Sequence, residues 1–373
     1  MGWSERDFIL RIAQIAPLVE AVPPKLYGGT ERIVSFLTEE LVRLGHDVTL
    51  FASGDSETSA ELDSVWPRAL RLDTNIRDVA ALHAAMLEKV AKRAAEFDLL
   101  HFHVDYHQFS LFSRLGTPFV TTLHGRLDVP EIALVFATFP FAPVVSISQS
   151  QRFPVPHANW VGNVHHGLPV SALQPRRKDQ SYFAFLGRIS PEKGLDKAIQ
   201  IAVGCGVPLK IAAKVDRADM VYFKEHIQPM LGLPGIELIG EIGDAEKSDF
   251  LSGAIALLMP IDWPEPFGIV MIEAMACGTP VLAFDRGSVR EVITQGVTGL
   301  VVNTIEEAVQ AAPRLDGLSR TEIRRTFENR FTSSRMAQNY LRVYHRLLLD
   351  YAPAKSNGIA SNSNLLVIDA AAS

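Results

Sequence analysis

Glu265 and Glu273 stand eight positions apart in the stretch 265–283, EPFGIVMIEAMACGTPVLA. Between them Pro266 and Gly268 punctuate a turn, and the apolar run that follows predicts a helix beginning at about Gly268. A Gly-Thr-Pro turn at 278–280 then leads into a short strand, Val281 to Ala283. A carboxylate placed just ahead of a helix can accept hydrogen bonds from hydroxyls. The N–H groups of Phe267, Gly268, Ile269 and Val270 have no acceptor within such a helix and can hold a phosphate at its positive end. Glu273 lies about one and a half turns further on, within reach of a second polar group of the same ligand. Hydroxyls, then phosphate, then more hydroxyls describe a sugar nucleotide. Taken alone, however, the spacing is better explained by an N-capped amphipathic helix with two solvated glutamates.

Other residues have the chemistry to join such a site. Gly28-Gly29-Thr30-Glu31 follows a predicted first strand and opens a helix, so its backbone can approach a ligand closely; a plain turn has the same composition. Arg188 and Lys193 lie five apart in Gly-Arg-Ile-Ser-Pro-Glu-Lys-Gly, after the first strand of the second half. Two cations so placed can converge on one diphosphate, the first as a planar fork and the second as a point charge. His124, in Thr-Leu-His-Gly, ends a predicted strand at a glycine, where side chains reach a cleft. His101, His103, Asp105 and His107 alternate as the ligands of binuclear metallohydrolases do, but Tyr106 intervenes and only His165-His166 offers a second cluster. No Asp-x-Asp stands out at a strand end; Asp262-Trp263-Pro264-Glu265 is the nearest acidic group, and its proline makes it an awkward metal site. Lys214 and Asp216 follow a strand, where a contact to the nucleotide of such a ligand is open to them.

The elements that must position these residues alternate between strand and helix. Strands are predicted at Phe8–Ile15, Asp47–Phe51, Asp98–His103, Pro118–Leu123 and Pro143–Ile147, with helices at Thr30–Leu44 and Val79–Ala95. After PVSALQPRRKDQ at 169–180, a linker by its prolines and charges, the alternation restarts. Its strands are Tyr182–Leu186, Leu209–Ala213, Glu237–Ile239, Ile255–Met259, Val281–Phe284 and Gly299–Val302, with a helix at Pro191–Val203. This pattern predicts an α/β fold of two Rossmann-like domains, 1–170 and 180–332, facing each other across a cleft. A helix at 333–350, apolar at Met336, Tyr340, Val343 and Leu347, follows, and 351–373 reads as a disordered tail.

A chain of 373 residues with 47% apolar residues has material for two such cores. Its net charge of −6 argues against a nucleic-acid partner; the basic run at 175–178 reads as solvated linker. Cys205 and Cys277 fit no metal spacing and suit a reducing cytoplasm, with Cys277 a core thiol. The N-terminus lacks the pattern of a signal peptide, and no stretch is long enough to span a membrane. Peripheral membrane contact and oligomeric state stay open.

Together these pieces resemble the retaining family-4 glycosyltransferases. The likeness runs through EPFGIVMIEAMACGTPVLA at almost every position, and Gly28-Gly29, Leu123-His124-Gly125, Gly187-Arg188 and Lys193-Gly194 occur in the family's order. The phrases ISPEKG, IAAKVD, GEIGD and PIDWPEPFG are similar to a bacterial subgroup that includes an avilamycin-type antibiotic-pathway enzyme. The resemblance implies a GT-B fold and hexosyl transfer from a nucleoside-diphosphate sugar to an acceptor hydroxyl, with the anomeric configuration kept. It implies no cofactor beyond the donor and no metal, Arg188 and Lys193 neutralising the departing diphosphate. Glu265 would bind hexose hydroxyls, Glu273 the ribose, the Gly28-Gly29 loop the acceptor side and the diphosphate, and His124 the transferred sugar near C6. The His-x-His at 101–103 would form cleft wall, and the last helix would cross back to the first domain. Near Lys214 the family more often has glycine, so this departure leaves the base undefined. Competing readings are a phosphorylase or sugar-nucleotide epimerase on the same fold, a metal-dependent hydrolase, and a non-catalytic binding protein.

Overall fold

A computed structural model of the chain describes residues 9–25, 28–176 and 179–356. Two parallel sheets organise them. The first contains β1 (Arg11–Ile15), β2 (Asp47–Ala52), β3 (Glu61–Ser64), β4 (Leu99–Phe102), β5 (Phe119–Thr122), β6 (Pro143–Ser146) and β7 (Asn159–Asn163), in the order β3-β2-β1-β4-β5-β6-β7. The second contains β8 (Tyr182–Arg188), β9 (Leu209–Lys214), β10 (Ile236–Gly240), β11 (Ala254–Met259), β12 (Val281–Phe284) and β13 (Gly299–Val302), in the order β10-β9-β8-β11-β12-β13. The central strands are short apolar runs such as LLHF, PVVS and AIALLM, buried along almost their whole length, as strands covered by helices on both faces must be. In both sheets the chain starts at the middle, builds one flank, then returns to build the other. The reversal leaves a crevice beyond the carboxyl ends of β1 and β4, and another beyond β8 and β11.

The sequence missed β3 and β7, both edge strands whose residues, ELDS and NWVGN, lack an apolar run because one side is open to solvent. It also drew one helix over Pro191–Val203. In the structure Pro191–Lys193 is a single tight turn and the helix begins at Leu195 and ends at Cys205. Gly194 separates them with φ +70°, pressed so close to Pro260 that a Cβ there would lie 2.2 Å from its carbonyl oxygen. The start of the first predicted strand, Phe8, lies outside the described residues, as do Arg177 and Lys178 of the basic run and residues 357–373 of the tail.

The last helix, Ser333–Ser356, reaches six residues beyond its predicted end and packs on the helix Gly29–Arg43 of the first half. It buries Tyr340 and Tyr344 completely. Where the chain crosses to reach it, Leu168 donates to the Phe331 carbonyl at 2.9 Å and accepts from the Ser333 N–H at 2.9 Å. The two passes between the halves are thus bonded side by side. Among the described residues no helix is long and apolar enough to cross a membrane.

Candidate active site

Between the facing carboxyl ends of the two sheets lies a cleft of ≈ 510 Å³. Gly28, Gly29 and His124 line it from the first half. Arg188, Lys193, Glu265, Phe267, Gly268, Ile269, Val270 and Glu273 line it from the second. Segments separated by more than two hundred residues therefore meet here because each ends a strand or opens a helix on the same side of its sheet.

Glu265 sits in the loop after β11 and is almost fully buried. Its Oε2 accepts from Lys193 Nζ at 2.6 Å and from Trp263 Nε1 at 3.0 Å, and the ammonium also lies 5.1 Å from the centre of the indole ring. Gly287 holds the loop from behind: its φ is +58°, and a Cβ there would fall 2.3 Å from both N and O of Glu265. The adjoining Ser288 N–H donates to the Glu265 carbonyl at 3.0 Å. Trp263 had drawn no attention in the sequence beyond its place in an acidic cluster, yet it clamps both charged partners.

The helix Ile269–Ala276 follows, with Gly268 in the left-handed region at φ +75° as its N-cap. Its first turn lines the cleft, and the glycine loop of the first half comes close: a Cβ on Gly29 would lie 3.5 Å from Ile269 Cδ1. Phe267 is buried and packs edge-on against the ring of His166, 4.9 Å away. Glu273 is nearly buried and accepts from Lys247 Nζ at 2.7 Å. Lys247 reaches Asp244 at 3.2 Å, and Asp244 in turn pairs with Arg32 on the helix Gly29–Arg43. Alternating charges thus run from Glu273 in the second half to Arg32 in the first. Lys247 and Asp244 were not found from sequence, since nothing marks a lone lysine on a polar helix until its partner is known.

Arg188, the last residue of β8, is held by Glu192 at 2.5 Å, with Asp216 and Asp219 at 3.8 and 3.6 Å. The sequence placed Arg188 and Lys193 together as a pair of cations aimed at one diphosphate. Both do line the cleft, but each rests on a carboxylate, because a half-buried cation costs less beside a counter-charge than alone. Lys214 likewise pairs with Asp216 at 3.4 Å, and Asp262 with Lys197 at 2.7 Å.

The histidines form a hydrogen-bonded file. His124 Nε2 lies 2.9 Å from His103 Nδ1, and His103 Nε2 lies 2.8 Å from Gln14 Oε1. His101 bonds the hydroxyls of Tyr344 and Thr122 at 2.6 and 2.7 Å. Its two ring nitrogens are therefore taken by hydroxyls, and His107 instead lies against Tyr106 and His83. Among the described residues no three His, Cys, Asp or Glu side chains converge as a metal set would, so the structure gives the hydrolase reading no support. His166, which the sequence singled out only as a second metal cluster, stacks on His124 at 5.3 Å.

Burial drives the pKa of His124 down to about 3 and holds those of His101, His103 and His166 well below the ordinary 6.5. All four are neutral near pH 7. The unfolded chain takes up a proton at each near pH 6.5, while burial keeps all four neutral in the native state well below that pH, His124 down to about pH 3. Stability is therefore complete above pH 6.5 and is lost as the pH falls below it. Thermal denaturation is expected to drop by about 5–10 °C between about pH 7.5 and 5.5. A flat midpoint over that range would mean that the cluster is hydrated or already charged.

Residues 27–169 match the family model Glycosyltransferase Family 4, and residues 172–326 match Glycosyl transferases group 1. The chain is 25% identical to the alpha-maltose-1-phosphate synthase of Mycolicibacterium smegmatis, over 78% of this chain and 84% of that protein. It is 24% identical to the D-inositol 3-phosphate glycosyltransferase of the same species, over 87% of each. Its fold is similar to that of AviGT4, a glycosyltransferase involved in avilamycin A biosynthesis, with a TM-score of 0.71, 24% identity, and 91% and 98% of the two chains covered. Anabaena HepE, solved in complex with UDP and glucose, superposes with a TM-score of 0.68 at 17% identity, covering 90% and 99%. Matched in order through both halves and carrying two parallel α/β sheets across one cleft, the chain belongs to the family-4 type of glycosyltransferases with the GT-B fold.

Proposed function

We propose that this glycosyltransferase takes a hexose from a nucleoside-diphosphate sugar and transfers it to an acceptor hydroxyl with retention and without a metal ion. The observation that carries the reading is the convergence of Arg188, Lys193, Glu265, Glu273 and the opening turn of the helix Ile269–Ala276 on one cleft. A UDP complex of a similarly folded protein supports the donor class. The named relatives act as synthases and glycosyltransferases, which favours transfer over the phosphorylase and epimerase alternatives. Their acceptors differ, so none is carried over.

In this reading Glu265 receives hexose hydroxyls, Glu273 the ribose, and the N–H groups of residues 267–270 the phosphates. Gly28 and Gly29 let the first half close on the diphosphate, and His124 meets the transferred sugar. Retention follows a front-face route, in which the departing phosphate takes the acceptor proton. Glu265 and Glu273 are each bonded to a lysine, a poor state for the nucleophile of a double displacement. The setting is a reducing cytoplasm, consistent with the two free cysteines.

A screen of nucleoside-diphosphate sugars by released diphosphate, with the product's anomeric configuration read by NMR, tests this reading. Inversion would overturn the mechanism; consumption of inorganic phosphate, or donor conversion without an acceptor, would restore the alternatives. Activity is expected to survive prolonged chelation with at most modest stimulation by magnesium. Complete loss, reversed by one divalent ion, would overturn the metal-free assignment of Arg188 and Lys193.

A further inference from the structure

We infer that Gln14 and Tyr344 are positioning residues that fix the tautomer of His124, leaving its Nδ1 as a hydrogen-bond acceptor in the cleft. Gln14 lies on β1 with no exposure, and Tyr344 lies equally buried on the last helix. The Gln14 amide donates from Nε2 to the Tyr344 hydroxyl at 3.3 Å, which turns its Oε1 toward His103 Nε2 at 2.8 Å. A carbonyl oxygen only accepts, so the proton of that contact belongs to His103 Nε2. A neutral imidazole carries one N–H, so His103 Nδ1 is bare and the 2.9 Å contact to it is donated by His124 Nε2. His124 Nδ1 is then bare as well, and it is buried without a hydrogen-bond partner on a residue that lines the cleft.

The same order runs the other way without conflict. The Tyr344 hydroxyl, accepting from Gln14, donates to His101 Nδ1 at 2.6 Å. His101 Nε2 then donates to Thr122 Oγ1 at 2.7 Å, and the Thr122 hydroxyl donates to Tyr340 at 3.0 Å. Six hydrogen bonds are filled, and no donor meets a donor. Reversing His124 would require turning over the Gln14 amide together with every member of the file, so its tautomer is set by residues that do not touch the ligand. A bare Nδ1 accepts from a hydroxyl and repels an acceptor-only group. The site is thus built to prefer a sugar hydroxyl over a fluorine or methyl ether at the position His124 meets. This deepens the glycosyl-transfer reading and rests on it only for the identity of the ligand.

The test is two-bond nitrogen–proton NMR of the full-length protein labelled with 15N-histidine, with His124 assigned by loss of its signals in His124→Asn. Wild type is expected to show a protonated Nε2 and a bare Nδ1. Gln14→Leu and Tyr344→Phe should give mixed or reversed His124 tautomers and a roughly two- to tenfold loss of turnover, the worth of one neutral hydrogen bond. Gln14→Glu should keep both, because in either ionisation state it presents an accepting oxygen to His103. A protonated Nδ1 in wild type overturns the inference whether or not any variant folds. An unchanged tautomer in either disrupting variant, or a reversed one in Gln14→Glu, removes the positioning role. The spectrum needs no turnover, so failure of the donor screen would leave it standing.

Discussion

Arg188→Ala is expected to lower kcat by roughly 100-fold or more, the scale of losing one preorganised charge stabiliser. Cleavage of the sugar–phosphate bond puts negative charge on the leaving oxygens, and Arg188 lines the cleft where those oxygens would gather. Its removal also leaves Glu192, Asp216 and Asp219 without the guanidinium that holds them. Negative charge beside the cleft would then be less compensated, although Asp216 keeps Lys214, so donor KM should rise too, but by less than kcat falls. Lys193→Ala should behave similarly, and the double variant should be less than additive because both cations act on one group. Steady-state kinetics with the donor varied decide the matter, and near-full turnover in Arg188→Ala would take this residue out of the mechanism.

The second large effect separates the two glutamates. Glu273→Gln should weaken binding of the bare nucleoside diphosphate, at a cost of ~1.5–3 kcal/mol for hydrogen bonds to a charged acceptor. It should also lower the denaturation midpoint, since Lys247 is nearly buried and loses its counter-charge. Glu265→Gln should not weaken the bare nucleotide, because it frees Lys193 rather than removing a nucleotide contact. It should instead depress turnover and blur discrimination between donors that differ in their sugar hydroxyls. Calorimetry with the nucleoside diphosphate alone, paired with donor competition kinetics, reads both halves. Equal weakening by the two substitutions would assign Glu265 to the nucleotide or to the scaffold.

Much of this arrangement was legible because strand ends and helix starts leave local marks. Gly28, Gly29, His124, Arg188 and Gly268 each adjoin a glycine or open an element, and all of them face the cleft. The two edge strands left no such mark, and the turn at Gly194 was hidden because its cause, the carbonyl of Pro260, is 66 positions away. Counter-charges were hidden for the same reason. Sequence shows that Arg188 and Lys193 are cations, but not that Glu192 and Glu265 hold them. The histidine pattern at 101–107 imitates a metal set but was set aside from sequence; what stayed hidden was the partner of His101, Tyr344, more than two hundred residues downstream.

The return of the last helix to the first half has a consequence for the order in which the enzyme becomes competent during synthesis. β1 to β7 leave the ribosome early, yet Tyr340 and Tyr344, two of the largest fully buried side chains, arrive only after the entire second sheet has been made. Until then the nascent first half holds open a groove along the helix Gly29–Arg43, with Gln14, His101 and Thr122 lacking their phenolic partners. The histidine file behind the cleft is therefore completed last, and a chain halted before residue 340 lacks both phenols that close it.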